Sequence, residues 1–426
     1  MTANSDFDKT LAVGRPPNIC KLFPNSRALI VSGKYIDLGL QAKGKAMTIA
    51  ANGRNNFIIR GALMAAQRAN AAIIIEIARS EGGAKAYCPT SYWNIARQVD
   101  QAMNEMGITI PVAVHADHYG IKSETDLPFA RQEIPTLFEA GITSIAIDAS
   151  HMTDDKNLLA NLDLNQFIPD WAGLETEIGE IKGSEGLSAT PEAVFLIAGL
   201  NAHNIFPNWI ALNNGTSHGF EASGQGIQVE LTAEIHQALR KYHVNGAQHG
   251  TSGNSSDRLR EIAEKTTTTK ANVATALQML SWGVEVNDYG NAIMNEDGSF
   301  KKVRGEGVSA EMWQEMVRYA EAKGWRNGDY KNLNLIFENR FLGQPRAIRE
   351  RMCKRVEDFV FNLLTTVFNA QDSADFCLEL IRKAGSYDPG PKASRIEDAS
   401  EWTPEKIITR SALIDTDKGP AGDFDD

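Results

Sequence analysis

The sequence predicts an α/β chain folded as one eight-stranded (β/α)8, or TIM, barrel with N- and C-terminal extensions. Three observations predict it. Short apolar, β-branched runs alternate with longer segments of helical period. Eight such units fit into about 280 residues, a length that suits a closed barrel. Polar residues able to bind metal recur where the runs end, and in a barrel that end carries the chemistry.

The runs are 47–51, 72–77, 111–115, 144–148, 174–178, 209–213, 244–249 and 283–287. Each precedes a stretch that can form a helix. After the sixth, Leu231, Ile235, Ala238, Leu239 and Tyr242 share one helical face. Thr190 followed by Pro191 predicts an N-cap with proline in the first turn. Strand–helix alternation implies parallel strands, because parallel neighbours need a crossover. A doubly wound open sheet would want a GxGxxG turn after an early strand, and the sequence has none. The expected division is an extension over 1–43, a barrel over 44–350, and a helical segment with an irregular tail over 351–426.

Composition narrows the class. The 426 residues are 42% hydrophobic and 23% charged, with a net charge of -11. That balance opposes a nucleic-acid partner but permits a local site for a small phosphorylated substrate. Cys20, Cys88, Cys353 and Cys377 show no CxxC spacing and read as free thiols of a reducing compartment. The first residues have no apolar secretory core, and no apolar run nears the roughly 18 residues that cross a bilayer. The expectation is a cytoplasmic protein with no membrane partner.

The rim of the barrel collects the chemistry. The third run ends in His115, Asp117 and His118, the fourth at Asp148, and the fifth holds Glu175 and Glu177. The sixth leads to His218 and Gly219, the seventh to His249 and Gly250, the eighth to Asn287. One strand-end histidine means little, but three beside a carboxylate suit a catalytic cation with an open position. Imidazole ligands favour zinc, with cobalt, iron or nickel also acceptable. His115 and His151 read as hydrogen-bonding support for the ligands, and His203, His236 and His243 receive no role. The turns 214–219 and 249–253 combine glycine with Ser or Thr, a composition that can cradle phosphate.

These stretches together resemble the class II, metal-dependent fructose-bisphosphate aldolases. The matching segments are 115–118, 147–151, 174–183, 215–219, 249–253 and, more loosely, 283–287, in the family's order within about residues 44–350. The resemblance implies cleavage of a ketose bisphosphate to dihydroxyacetone phosphate and glyceraldehyde 3-phosphate through a metal-stabilised enediolate. It implies that His118, His218 and His249 hold Zn2+ or another divalent cation. Asp148 and Glu177 would hold a displaced, second or monovalent cation. Asp117 would be the acid/base on the substrate hydroxyl, and Glu185 would move a proton at the enolising carbon. Gly219, Gly250, Ser252 and Asn287 would surround one phosphate. Arg346 would reach the other, from a neighbouring subunit in a homodimer or homotetramer, and Ser80 would touch substrate.

The pattern departs from the family at several places, among them a missing or shifted hydroxyl partner in 288–290 and extra residues between Asn254 and Ser281, including 266–270, that predict a differently shaped loop. Glu285 stands where the family shows a lysine before its Asn, Thr251 replaces glycine, and Ser184 replaces an acidic residue. No predicted strand end carries a lysine, which disfavours a Schiff base as the electron sink. The alternatives are another ketose-phosphate aldolase, such as one for tagatose bisphosphate, a metal hydrolase, or a non-catalytic sugar-phosphate binder.

Overall fold

The structure, a computed structural model, describes residues 2–83, 86–179, 186–216, 226–288 and 290–414. Eight parallel strands close into a barrel in the order β1 to β8. They are β1 (Thr48–Asn52), β2 (Ile73–Ala78), β3 (Val112–Gly120), β4 (Ser144–Asp148), β5 (Gly173–Ile178), β6 (Trp209–Leu212), β7 (Asn245–Gln248) and β8 (Thr268–Val273). Closure leaves no unpaired edge, since β1 pairs with both β2 and β8. β3 emerges from burial only at His118 and Gly120, and the other strands are buried throughout.

Seven predicted runs coincide with strands, and the eighth does not. The strand that closes the barrel is Thr268–Val273, upstream of the expected 283–287. Its threonines are β-branched, but its lysine and hydroxyls read as a polar loop in a search for apolar runs. Residues 283–287 belong instead to a hairpin-like excursion, with bridges Val284 to Lys302 and Val286 to Ala292. Glu285 there pairs with Lys301 at 2.7 Å. The excursion returns through helices Ala310–Lys323 and Leu333–Leu342 and has its own apolar cluster around Trp282, Trp313, Phe337 and Met352.

Helices cover the outside, several of them held by local signals. Asn55 caps Asn56–Ala69 by accepting the amide hydrogens of Phe57 and Ile58. The helix Thr190–Ala202 begins as expected with Pro191 in its first turn. Its cap, however, is the Glu192 carboxylate, which accepts the Ala189 N–H at 3.2 Å. The ring is closed by Arg346–Asn362, which packs along Asn56–Ala69 and crosses the position expected to end the barrel at 350. A Cβ at Gly61 would stand 2.6 Å from the Cys353 carbonyl oxygen, so glycine permits that close packing.

The base of the barrel is sealed by both ends of the chain. The helix Gly33–Lys43 lies under β2, β3, β5 and β8. Its buried Asp37 accepts from Asn208, Asn245 and Thr269 at 3.1, 2.6 and 2.7 Å. Lys392, from the C-terminal arm, inserts beside it and donates to the same carboxylate at 2.5 Å. Among the described residues no helix is long and apolar enough to cross a membrane.

Two outcomes follow from this packing. Asp37→Ala would strand the buried Lys392 ammonium, and a broken buried pair of this kind costs about 3–5 kcal/mol. A loss below about 1 kcal/mol in urea unfolding would refute that account. The second concerns His236, which is buried against Gly246 and accepts the Thr267 N–H at 3.2 Å. Burial pulls its pKa down to about 4. The unfolded chain, with a histidine pKa of about 6.5, therefore binds the extra proton, and stability falls as pH drops from about 6.5 toward 4. The expected loss is about 2 kcal/mol between pH 7 and pH 5, and His236→Gln should remove it from the unfolding curves.

Candidate active site

The C-terminal rim brings together side chains from five strands. β3 supplies two in succession, although neighbouring strand residues normally face opposite sides. The register with β4 slips between Ala116 and Tyr119, and His118 takes a left-handed backbone with φ of 42°. Such a conformation costs a non-glycine residue on the order of 1–3 kcal/mol. Here the bulge re-aims His118 so that it and Asp117 turn to one pocket.

The distances define that pocket. His118 Nδ1 lies 3.2 Å from Glu177 Oε1 and 3.5 Å from Asp148 Oδ2. Its Nε2 lies 4.0 Å from Asp117 Oδ2. The His118 and His249 rings meet edge to face with centroids 4.4 Å apart. His249 Nε2 contacts Glu175 Oε1 at 2.8 Å, while its Nδ1 stands 3.7 Å from Glu177 Oε2. Glu175 and Glu177, two apart on β5, point inward together. The His118 side chain is 23% exposed, whereas those of Asp117, Asp148, Glu177 and His249 are buried. Solvent therefore reaches the pocket over that imidazole.

Below the pocket sits Lys270 of β8, fully buried. It donates to Glu175 Oε2 at 2.7 Å and to Asp117 Oδ1 at 3.3 Å, and lies 3.2 Å from Glu76 Oε2. This corrects the expectation that no strand carries a lysine into the site. Burial disfavours its charge, but the Glu175, Glu76 and Asp117 carboxylates raise its pKa, so the amine stays protonated and is no nucleophile. Asn272, two residues on, donates to Asp117 Oδ1 at 2.9 Å. Tyr92 Oη donates to the Asp117 carbonyl at 2.9 Å.

Electrostatics sort the carboxylates. Burial alone would raise the pKa of Asp117, but the charges of Lys270, His118 and His249 hold it down at about 2. Burial likewise opposes ionisation of Glu175, and Lys270 and His115 override it to keep Glu175 well below the usual range. Glu177 is pushed up to about 8 by burial and then by Asp148. Burial works against charge on His118, yet Glu177 and Asp117 lift its pKa well above the ordinary value. The pocket thus attracts positive charge.

Its donor set fits a divalent cation. Ligand atoms of Asp117, His118 and His249, of His118, Asp148 and Glu177, and of Glu175, Glu177 and His249 each lie within 4.8 Å of one another. Ionised Glu175 takes the Nε2–H of His249, which leaves a lone pair on Nδ1. That buried nitrogen has no hydrogen-bond partner among the described residues. An imidazole oriented by a carboxylate, with its other nitrogen facing acidic groups, is the usual preparation of a metal ligand.

The other expected site residues are distributed as follows. His218, Gly219 and Glu185 lie outside the described residues. Gly250 lies two residues past β7 with φ of 58°, and a Cβ there would stand 2.7 Å from the Thr216 side chain. Ser252 is partly buried in the turn after it, next to Thr251, whose hydroxyl donates to the Asn272 carbonyl at 2.6 Å. Ser80 lies in the short helix Arg79–Gly82 directly after β2, on the same rim. Asn287 is not at a strand end; it sits in the hairpin turn, where its side chain accepts the Asn291 N–H at 3.0 Å. Arg346 begins the ring-closing helix, 85% exposed and paired with Glu350 at 2.7 Å. The residues the sequence reading missed are Lys270, Asn272 and Glu76. Lys270 and Asn272 carry the Lys-x-Asn spacing expected of the eighth strand, fifteen positions upstream of where it was sought.

Known proteins agree with this architecture. The chain is 28% identical to the fructose-bisphosphate aldolase of Staphylococcus epidermidis over 148 residues, 34% of this chain, and spans 47% of that relative's length. It is 25% identical to the fructose-bisphosphate aldolase of Streptococcus pneumoniae over 256 residues, 59% of this chain and 80% of the relative. Among solved structures, the YdjI aldolase of Escherichia coli K12 shares the fold at a TM-score of 0.54 and 16% identity, over 81% of this chain and 99% of that one. The fructose-bisphosphate aldolase of Campylobacter jejuni does so at 0.52 and 18%, over 81% and 97%. Residues 38–324, about two thirds of the chain, match the family described as fructose-bisphosphate aldolase class-II, and the chain belongs to that family.

Proposed function

We propose that the chain is a class II fructose-1,6-bisphosphate aldolase, a metal-dependent aldehyde-lyase. It would reversibly cleave the ketose bisphosphate to dihydroxyacetone phosphate and glyceraldehyde 3-phosphate in the cytoplasm. The observation that carries the reading is a buried carboxylate, Asp117, held ionised beside His118 and beside His249, whose ring is oriented by Glu175 with Nδ1 open to a cation.

His118, His249 and His218 would hold the cation, zinc by the chemistry of imidazole donors, with Asp148 and Glu177 as the place for a displaced or second ion. When bound, a divalent cation supplies Lewis acidity to the ketone end of the substrate, worth several kcal/mol in the transition state. Asp117 does the proton work at the bond that breaks. Lys270 and Asn272 both engage its Oδ1, which directs Oδ2 toward His118 and the substrate hydroxyl. Its low pKa keeps it ionised in the resting site, so Oδ2 has a lone pair free to take that proton. Glu185 would exchange the proton at the enolising carbon. Gly219, Gly250 and Ser252 would surround the ketone-side phosphate. Asn272 rather than Asn287 takes the place at the end of β8. Ser80 would touch substrate from the β2 rim, and Arg346, exposed on its own subunit, would reach the far phosphate of a neighbour in a homodimer or homotetramer.

The decisive assay uses purified protein with fructose 1,6-bisphosphate and its C4 epimer, tagatose 1,6-bisphosphate. Cleavage of the fructose ester that stops with chelator and returns with zinc is expected. Preference for the epimer would reassign the substrate, and chelator-resistant activity trapped by borohydride would overturn the metal reading. Asp117→Asn should retain bound zinc by metal analysis while kcat falls by about 10²–10⁴-fold, the usual contribution of a positioned acid/base. Turnover at the native rate would remove Asp117 from that role.

A further inference from the structure

The barrel interior holds a second group of donors beneath the candidate metal pocket. Ligand atoms of Glu76, His115 and Asp117 lie within 4.8 Å of one another, and all three residues are buried. His115 is oriented by Ser144, whose hydroxyl meets Nδ1 at 2.7 Å. Its Nε2 faces inward, 3.4 Å from Glu175 Oε2 and 3.9 Å from Asp117 Oδ1, with no hydrogen-bond partner among the described residues. Neither carboxylate oxygen of Glu76 has one either. Two carboxylates and an imidazole within that span, with the Glu175 carboxylate against the imidazole, are the donor set of a cation site. The Lys270 ammonium stands among the carboxylates, 2.7 to 3.3 Å from Glu175, Glu76 and Asp117.

We propose that Lys270 is a built-in cation: it fills a latent metal site formed by Glu76, His115, Asp117 and Glu175, and so confines the exchangeable ion to the pocket above. The inference rests on the cation-binding reading of that upper pocket. Its logic is charge and size. The ammonium donates to Glu175 and Asp117, lies 3.2 Å from Glu76, and cannot coordinate as a divalent ion does. Without it, the carboxylates would face each other across a dry interior, and a divalent ion would answer both their charge and the unpartnered His115 Nε2. Asp117 would then be drawn down as a ligand instead of facing substrate. Lys270 is thus a positioning residue, acting through Asp117 and Glu175.

The test counts metal, not turnover. Native protein and the variants Lys270→Met, Lys270→Arg and Lys270→Met/Glu76→Gln are stripped with chelator, equilibrated with zinc and analysed for bound zinc per chain. Lys270→Met should bind one zinc more than native protein. Lys270→Arg, which keeps the positive charge, should match native protein. The double variant, which also loses a carboxylate charge, should lose the extra zinc. Unchanged zinc content in Lys270→Met overturns the proposal. If Lys270→Met does not fold without metal, it is refolded with zinc: recovery with the extra ion supports the proposal, and failure to recover overturns it. A chain that gains the extra zinc in Lys270→Met but shows no aldolase activity as native protein would uphold this inference while rejecting the proposed function.

Discussion

The structure depends on one buried ammonium among acids. Lys270 reaches carboxylates from β2, β3 and β5 through the centre of the barrel, so four strands meet at one charge. A dry interior tolerates several carboxylates only when cations or donors accompany them. Everything above is arranged on that neutralised floor. Ionised Glu175 can then fix the His249 ring, and ionised Asp117 can face the pocket.

The polar interior also explains what the sequence made legible. Seven strands lie where the alternation predicted, because apolar residues adjoin even the buried Glu175 and Glu177 of β5 and the buried Asp117 of β3. β8 does not, because its inward lysine and its threonines belong to the barrel's charged centre. A rule that equates burial with hydrophobicity passes over such a strand, and the decoy Val284–Val286 was accepted in its place. The misplacement moved the Lys-x-Asn spacing out of register, which made Glu285 look like a replaced lysine. Once β8 is placed, Glu285 lies in the excursion beside Lys301 and that departure from the family pattern disappears.

Within the site, strand-end histidines and carboxylates were readable because a barrel delivers every strand end to one rim. Their pairing was not. Nothing local in the sequence tells that Glu175 of β5 grips His249 after β7, 74 positions away. Nor does it tell that Arg346 lies on the outer surface, since that depends on how the ring-closing helix packs. Contacts of long sequence separation arise from closure, which no window of residues contains.

The slipped register of β3 carries a mechanical consequence. Asp117 and His118 share one peptide unit, so their Cα atoms are tethered at about 3.8 Å by covalent structure. A proton acceptor and a candidate metal ligand on separate elements could drift apart whenever those elements breathe. Here thermal motion of the loops translates both together, and the alignment between base and ion is inherited from bond lengths instead of being re-established at each encounter.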